Sequence, residues 1–404
     1  MTTSDLNIAI IGAGIGGLTL ALALRRHGIG VTLYEQTAEL REVGAAVALS
    51  ANATRFYDRI GLRPAFDAVC ANISTLIYRD GRTGAEIGRQ SGTPSYEHQF
   101  GACYWGIHRA HLQAILSQAV GMAHIRLSKR LSGLQDQGRE VVLTFEDGDS
   151  AKADLVIGAD GARSLVRRYL LGYDDALYSG CSGFRGIVAP EALKLLPDRE
   201  AIQFWMGPSG HLLHYPIGNG DQNFLLVERQ PSPWPVREWV MPATPGEQLR
   251  HFANWHPAVV EMISAVPTSQ RWGLFHRPPL GRWTRGRITL LGDAAHALVP
   301  HHGQGANQSI EDAVVLAESL ASHGTGQWAA ALEHYEHQRR GRTRKVQYAS
   351  ISTADMLHLP DGPAATARNV RFASHEHMLH HLGWIHEFDP ATDTPTERQG
   401  GTWL

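Results

Sequence analysis

The chain has 404 residues, 43% of them apolar and 19% charged, with a formal net charge of −2 at pH 7. This balance excludes a disordered or fibrous chain, and the length allows two or three hydrophobic cores. A near-neutral chain also lacks the basic footprint of a nucleic-acid-binding protein.

Asn7-Ile8-Ala9-Ile10-Ile11 is a short β-branched run ending in glycines, the pattern of a buried parallel strand. Ile15 to His27 reads as a helix closed by Gly28, and Val31 to Tyr34 as the next strand, which together make a βαβ unit. The stretch Ile8 to Leu24 is apolar, but no basic segment precedes it and four glycines interrupt it, so neither a signal peptide nor a membrane span is expected. Three cysteines, Cys70, Cys103 and Cys181, stand far apart without a CxxC pair. They argue against disulfides or a thiolate zinc site and for a cytoplasmic setting.

Further along, Val141 to Phe145, the turn Asp147-Gly148 and Leu155 to Ile157 suggest a hairpin. From Ser179 to Gln230 short alternating strands follow, including Leu212 to Ile217 and Phe224 to Glu228. Thr244 to Ile263 is expected to be helical, Arg287 to Leu291 a strand, and Ser309 to Ala321 and Gln327 to Ser350 helices. The basic run Arg339 to Lys345 then falls inside a helix, where a solvated face is the plain expectation. His375 to His381 is rich in histidine but is not HExxH, so a solvated C-terminal face is expected and no metal.

Three motifs carry chemistry. Gly12-Ala13-Gly14-Ile15-Gly16-Gly17 fits G-x-G-x-x-G between a strand and a helix, and Glu35 ends the second strand. The first glycine suits a tight turn, the second a close approach to a pyrophosphate, and the third close helix packing. The acid suits a ribose, although these features alone do not separate FAD from NAD. Gly158-Ala159-Asp160-Gly161 follows a strand and alone would be a turn. Leu291-Gly292-Asp293, followed by Pro300 to Asn307, is a glycine-rich loop entering a helix, although Asp293 alone would pass as an N-cap.

In this order and spacing the motifs resemble the single-component FAD-dependent aromatic hydroxylases of the p-hydroxybenzoate hydroxylase fold. The salicylate and 3-hydroxybenzoate hydroxylase-like branch is the nearest, and the likeness runs from Ile8 to about Asp389. It implies an α/β fold with a Rossmann-type FAD-binding domain, an inserted antiparallel-sheet substrate domain and C-terminal helices. The FAD-binding parts would be residues 1–75, 100–177 and 272–350, the substrate domain 76–99 and 178–271, and a C-terminal extension 351–404. The likeness assigns FAD to Gly12, Gly14, Ile15, Gly17, Glu35, Arg41, Arg109, Asp160, Asp293, Pro300, Gly303, Gln304, Gly305, Ala306 and Asn307. It also implies O2 and NADH or NADPH as co-substrates, no membrane or nucleic-acid partner, and a homodimer, since relatives are often dimers. Two positions depart from the family pattern: Ala46 stands where glycine is usual and Ala51 where proline is usual.

The substrate is expected between the two domains. Residues 211, 213 and 215 alternate onto one strand face and 212 and 214 onto the other. His211, Tyr215 and His302 are therefore candidate catalytic groups, and Arg185, His211, Tyr215 and His301 candidate substrate contacts. Hydroxylation of a phenol is helped by removing its proton, for which histidine is a natural acceptor. The leading reading is an NAD(P)H-consuming FAD monooxygenase of a small phenolic or hydroxy-carboxylic aromatic. The alternatives are a same-fold hydroxylase of a quinone, quinoline or urate-like ring, or a reductase-like FAD-binding protein that hydroxylates nothing.

Overall fold

The computed structural model describes residues 6–40, 46–90, 96–267 and 270–393. Its first layer is a five-stranded parallel sheet in the spatial order Ile288–Leu290, Leu155–Gly158, Ile8–Ile11, Val31–Tyr34 and Ile125–Arg126. The two central strands, Leu155–Gly158 and Ile8–Ile11, are buried throughout because helices cover them, chiefly Ile15–Arg26, Arg109–Val120 and Gly305–His323. Ile8–Ile11 therefore carries no alternation, and all four of its residues are buried.

The second layer is an eight-stranded sheet in the order Val240–Pro242, Gln270–His276, Leu177–Val188, Gln222–Arg229, Gly210–Pro216, Ala201–Gly207, Thr75–Asp80 and Glu86–Gln90. It is antiparallel except where Ala201–Gly207 runs parallel to Thr75–Asp80. One face packs on Pro257–Ser264 through Trp205, Leu212, Phe224 and Leu226. The other turns Phe204, Leu213 and Tyr215 toward the first layer.

The structure revises several expected elements. Val141–Phe145 pairs with Ser150–Ala153, while Leu155–Gly158 leaves the hairpin to join the parallel sheet beside Ile8–Ile11. Its four consecutive buried residues suit a central strand, not half of an exposed hairpin. Thr244 to Ile263 is not one helix: a single turn at Glu247–Leu249 is followed by the helix Pro257–Ser264. Pro257 lacks an N–H and biases His256 to an extended backbone, so it starts that helix and cannot continue an earlier one. The late helices run longer than expected, Gly305–His323 and Trp328–Leu357.

The basic run is not a solvated face. Arg339 and Arg342 lie one helical turn apart and are buried against Glu311 and Asp312. Nor is the histidine-rich segment wholly solvated. It lies in the helix His375–His386, which buries Met378, Leu382 and Ile385 against the second sheet. His381 there packs on Tyr78 and Phe372. Among the described residues no group of three His, Cys, Asp or Glu side chains is placed to hold a metal ion, and no helix is long and apolar enough to cross a membrane.

Candidate active site

A cavity of about 920 Å3 runs between the two layers, from Glu35 and Gly14 past Asp160 and Asp293 to Arg185 and Tyr215. That is the upper end of the size range of small-molecule sites.

At its dinucleotide end the glycines divide the work. Gly12 has φ +106°, and a Cβ there would lie 2.5 Å from the Ala159 carbonyl oxygen. A Cβ at Gly17 would meet the Gly12 carbonyl oxygen at 2.1 Å, so this position sets how closely helix and strand pack. Around Gly14, by contrast, no protein atom lies within 4 Å of a Cβ. The open space sits at the N-terminus of the helix Ile15–Arg26, which has no acidic residue in its first turn. Amide groups there are oriented for a diphosphate. The Glu35 carboxylate is fixed by the Ala13 amide at 2.9 Å and the Thr37 amide at 3.0 Å, and it lines the cavity.

The other two motifs form one hydrogen-bonded unit. Asp293 begins the short helix Asp293–His296 and is open to the cavity, yet so deep that burial raises its pKa, against the pull of His296 and Arg109. The Gly292 amide donates to Asp312 Oδ2 at 2.8 Å, and His296 Nε2 lies 2.6 Å from the same oxygen. Arg167, from the helix after the Asp-Gly segment, donates to the carbonyls of Ala294 and Ala295 at 3.0 and 2.9 Å. Asp160 lines the cavity while its carboxylate caps that helix, accepting from Ser164 Oγ at 2.5 Å and the Leu165 amide at 2.7 Å.

In the last loop Pro300, Gly303, Gly305 and Ala306 line the cavity, whereas Gln304 and Asn307 are buried behind it. Asn307 accepts from the Ser50 amide at 2.9 Å and donates to the Ala48 carbonyl at 3.0 Å, and Gln304 donates to Ser50 Oγ at 3.0 Å. These two residues tie the loop to the strand Ala46–Leu49 and the helix after it. Ile15 and Arg109 also line the cavity, while Arg41 lies outside the described residues. The two departures have consequences. Ala46 lines the cavity, and the Ala51 amide donates to Tyr96 Oη at 3.1 Å, a bond that proline could not make.

On the opposite wall the cavity is roofed by the second sheet, with Leu76, Ile202, Phe204, Leu213, Leu225, Tyr215, Asn223 and Arg185. Asn223 was not anticipated. Its inward direction follows from pairing with Tyr215, and a single strand does not reveal such a register. Arg185 is exposed to the cavity and lies over the Trp272 ring at 5.2 Å; burial lowers its pKa, Arg109 lowers it further, and Tyr215 opposes.

The candidate histidines separate. His302 lines the cavity, with Nε2 at 2.6 Å from Thr353 Oγ1. His211 shares the face of Leu213 and Tyr215, but it does not line the cavity. Its Nδ1 lies 2.7 Å from His358 Nε2, and its ring edge meets His301. Cross-strand neighbours Met206 and Val227 flank it one step beyond the cavity wall, and His301 is likewise buried outside the lining. His214 points to the other face and bonds Gln222.

Burial drives the pKa of His301, His302, His358, His381 and His386 down to about 3, and that of His211 well below its ordinary value. These rings are neutral in the folded protein, while the unfolded chain takes up their protons near pH 6.5. The unfolded state therefore binds more protons between about pH 6.5 and 3, and stability falls as the pH drops through that window. Denaturant unfolding at pH 7, 6 and 5 is expected to give a falling midpoint, each such histidine contributing up to about 1.4 kcal/mol per pH unit. A flat profile would show that these rings are not held neutral.

Comparison with known proteins agrees with this geometry. Residues 5–350 match the family described as FAD binding domain. A 3-amino-4-hydroxybenzoate 2-monooxygenase of Streptomyces platensis is 38% identical, over 95% of this chain and 96% of that protein. Salicylate hydroxylase of Pseudomonas putida is 31% identical, over 98% of this chain and 96% of its own. The solved structure of Klebsiella pneumoniae HpxO complexed with FAD and uric acid has a TM-score of 0.83 at 28% identity, covering 94% of this chain and 96% of that one. With its glycine cradle, fixed Glu35 and a deep cavity walled by two sheets, the chain belongs to the FAD binding domain family and is an FAD-dependent aromatic monooxygenase.

Proposed function

We propose that the protein hydroxylates a small aromatic acid of the hydroxybenzoate type, with 3-amino-4-hydroxybenzoate as the first candidate. The observation that carries this reading is the roof of the cavity: five apolar side chains, Leu76, Ile202, Phe204, Leu213 and Leu225, with Tyr215, Asn223 and one guanidinium, that of Arg185. A flat benzene ring matches the apolar part, and a carboxylate matches the guanidinium. A urate-like ring, with polar groups around its whole edge, would leave several of them unpaired against Leu76, Ile202, Phe204 and Leu213.

Of the residues assigned to FAD, Gly14 leaves room for a diphosphate, Glu35 would accept from the ribose, and Asp293 and Arg109 would face the cofactor from the cavity wall. Bound FAD supplies the activation of O2 and the transfer of one oxygen atom to the ring, with electrons from NADH or NADPH. The protein's own part is to orient the ring, exclude water and manage the phenolic proton. His302, held neutral by burial at the cavity wall, is placed to accept a hydrogen bond from the phenolic group rather than to take up its proton, and Tyr215 hydrogen-bonds the substrate. His211 and His301 act from behind the wall by fixing its shape. Residues 76–99 and 178–271 are assigned as the substrate domain, and a cytoplasmic homodimer as the working form.

The test is NADH or NADPH oxidation by the flavin-loaded enzyme with a panel of aromatic acids, uric acid and quinolines, scored for hydroxylated product against hydrogen peroxide. One hydroxylated product per reduced nicotinamide consumed is expected with a hydroxybenzoate. Peroxide alone with every acid, or product from uric acid only, would overturn the reading.

A further inference from the structure

Three polar side chains on the cavity roof stand on adjacent strands and face the same space. Arg185 comes from Leu177–Val188, Asn223 from Gln222–Arg229 and Tyr215 from Gly210–Pro216. Asn223 is directly opposite Tyr215 on one side and Ile187 on the other, and Arg185 is one row along, opposite Leu225. Opposed residues on one sheet face have Cβ atoms about 5 Å apart, and diagonal ones about 7 Å. Asn223 is only 8% exposed, and what remains open faces the cavity. Among the described residues, no hydrogen bond or ion pair to protein occupies the Asn223 amide, the Tyr215 hydroxyl or the Arg185 guanidinium, all of which are open to the cavity. The neighbouring Gln222 points the other way, and its amide is spent on the Arg199 carbonyl at 2.9 Å and on His214.

An amide that a bound ligand would seal off without a partner is costly, and native structures leave few of them. One that is aimed into a ligand cavity, beside an unpaired guanidinium and a phenol, indicates a ligand group able to accept several hydrogen bonds at once. A carboxylate does so: its two oxygens offer about four acceptor sites, and it needs a countercharge once desolvated. We propose that Asn223 is a substrate-specificity residue which, with Arg185 and Tyr215, forms a three-donor clamp on the carboxylate of an aromatic acid. Arg185 supplies the charge, while the Asn223 NH2 and the Tyr215 hydroxyl hold the carboxylate in the plane that presents the ring to the flavin. This rests on the aromatic-acid reading above and adds to it the residue that discriminates acid from neutral isostere.

The test uses the FAD-loaded enzyme without NADH or NADPH, titrated with 4-hydroxybenzoate and, separately, 4-hydroxybenzamide, and followed by perturbation of the flavin absorbance. The wild type is expected to bind the acid more tightly than the amide. In Asn223→Ala, loss of one hydrogen bond to a charged group weakens the acid by about tenfold. In the isosteric Asn223→Asp a like charge is set against the carboxylate, and the acid weakens by about a hundredfold or more. The amide changes little in either variant, and FAD content stays at the wild-type level. Unchanged acid binding in both variants, with the wild-type preference intact, would overturn the clamp and leave the aromatic-acid reading standing. Equal weakening of acid and amide would also overturn it, because that marks general distortion of the cavity. Binding of neither compound by the wild type would remove both the clamp and the reading beneath it.

Discussion

Gly14→Val is expected to yield a folded protein with almost no flavin. Most glycine replacements in a strand–helix turn damage the turn itself. At Gly12 an added Cβ meets a carbonyl oxygen at 2.5 Å and φ is +106°, and at Gly17 it meets one at 2.1 Å, so Gly12→Ala and Gly17→Ala should unfold or strongly destabilise the chain. Gly14 differs on both counts. Its backbone is extended, at φ −75° and ψ −175°, which valine adopts readily, and no protein atom lies within 4 Å of the added Cβ. The valine side chain would instead fill the space above the helix N-terminus that the diphosphate needs. FAD binding should weaken by about a hundredfold, roughly 2.7 kcal/mol, while the apoprotein unfolds near the parental midpoint. Flavin content after desalting and apoprotein denaturation together decide the matter. Full flavin content in a folded Gly14→Val protein would remove the diphosphate from this position.

Arg339→Met should cost about 3–5 kcal/mol of folding stability. Arg339, Glu311 and Asp312 are all fully buried, and Arg339 Nε donates to Asp312 Oδ1 at 2.7 Å while its other nitrogens reach Glu311 and Gln308. Burial pushes the Asp312 carboxyl up, but His296 and Arg339 outweigh it and leave its pKa at about 2. Methionine fills much of the volume but leaves two buried carboxylates short of charge. Arg342, at 2.7 Å from Glu311, rescues that acid in part, so Asp312 suffers more. Because Asp312 also holds the Gly292 amide, the turn presenting Asp293 should loosen and flavin affinity fall together with stability. Urea unfolding with flavin titration reads both. A loss below about 1 kcal/mol would mean that the pairs contribute no more than surface ion pairs do.

The parts of the fold legible in the sequence are those where one local rule suffices. The strand Ile8–Ile11, the helix after it and the strand Val31–Tyr34 follow from an apolar run, glycines and a 3.6-residue period. Leu155–Gly158 was legible as a strand, but its partner was not, since sequence proximity suggested a hairpin while four apolar residues in a row required a covered sheet. The basic run shows the same limit. Arg339 and Arg342 read as solvent-facing until the acids on the facing helix are known, because a buried charge is tolerable only with partners that one helix cannot reveal. At the site, alternation correctly put His211, Leu213 and Tyr215 on one face, yet it does not say how far the cavity extends along that face. His211 falls one step too far and bonds His358, which lies 147 residues away. Asn223 was missed for the complementary reason: an asparagine in a strand carries no signal until the register sets it beside Tyr215.

The most direct test of the account is single-turnover hydroxylation of 3-amino-4-hydroxybenzoate under isotopically heavy O2, with NADH or NADPH as reductant and mass spectrometry of the product. The expected result is a hydroxylated ring carrying one heavy oxygen atom, with the other recovered in water. A product hydroxylated with oxygen from solvent, or consumption of the reductant with heavy hydrogen peroxide as the only oxygen product across the aromatic acids, would contradict it.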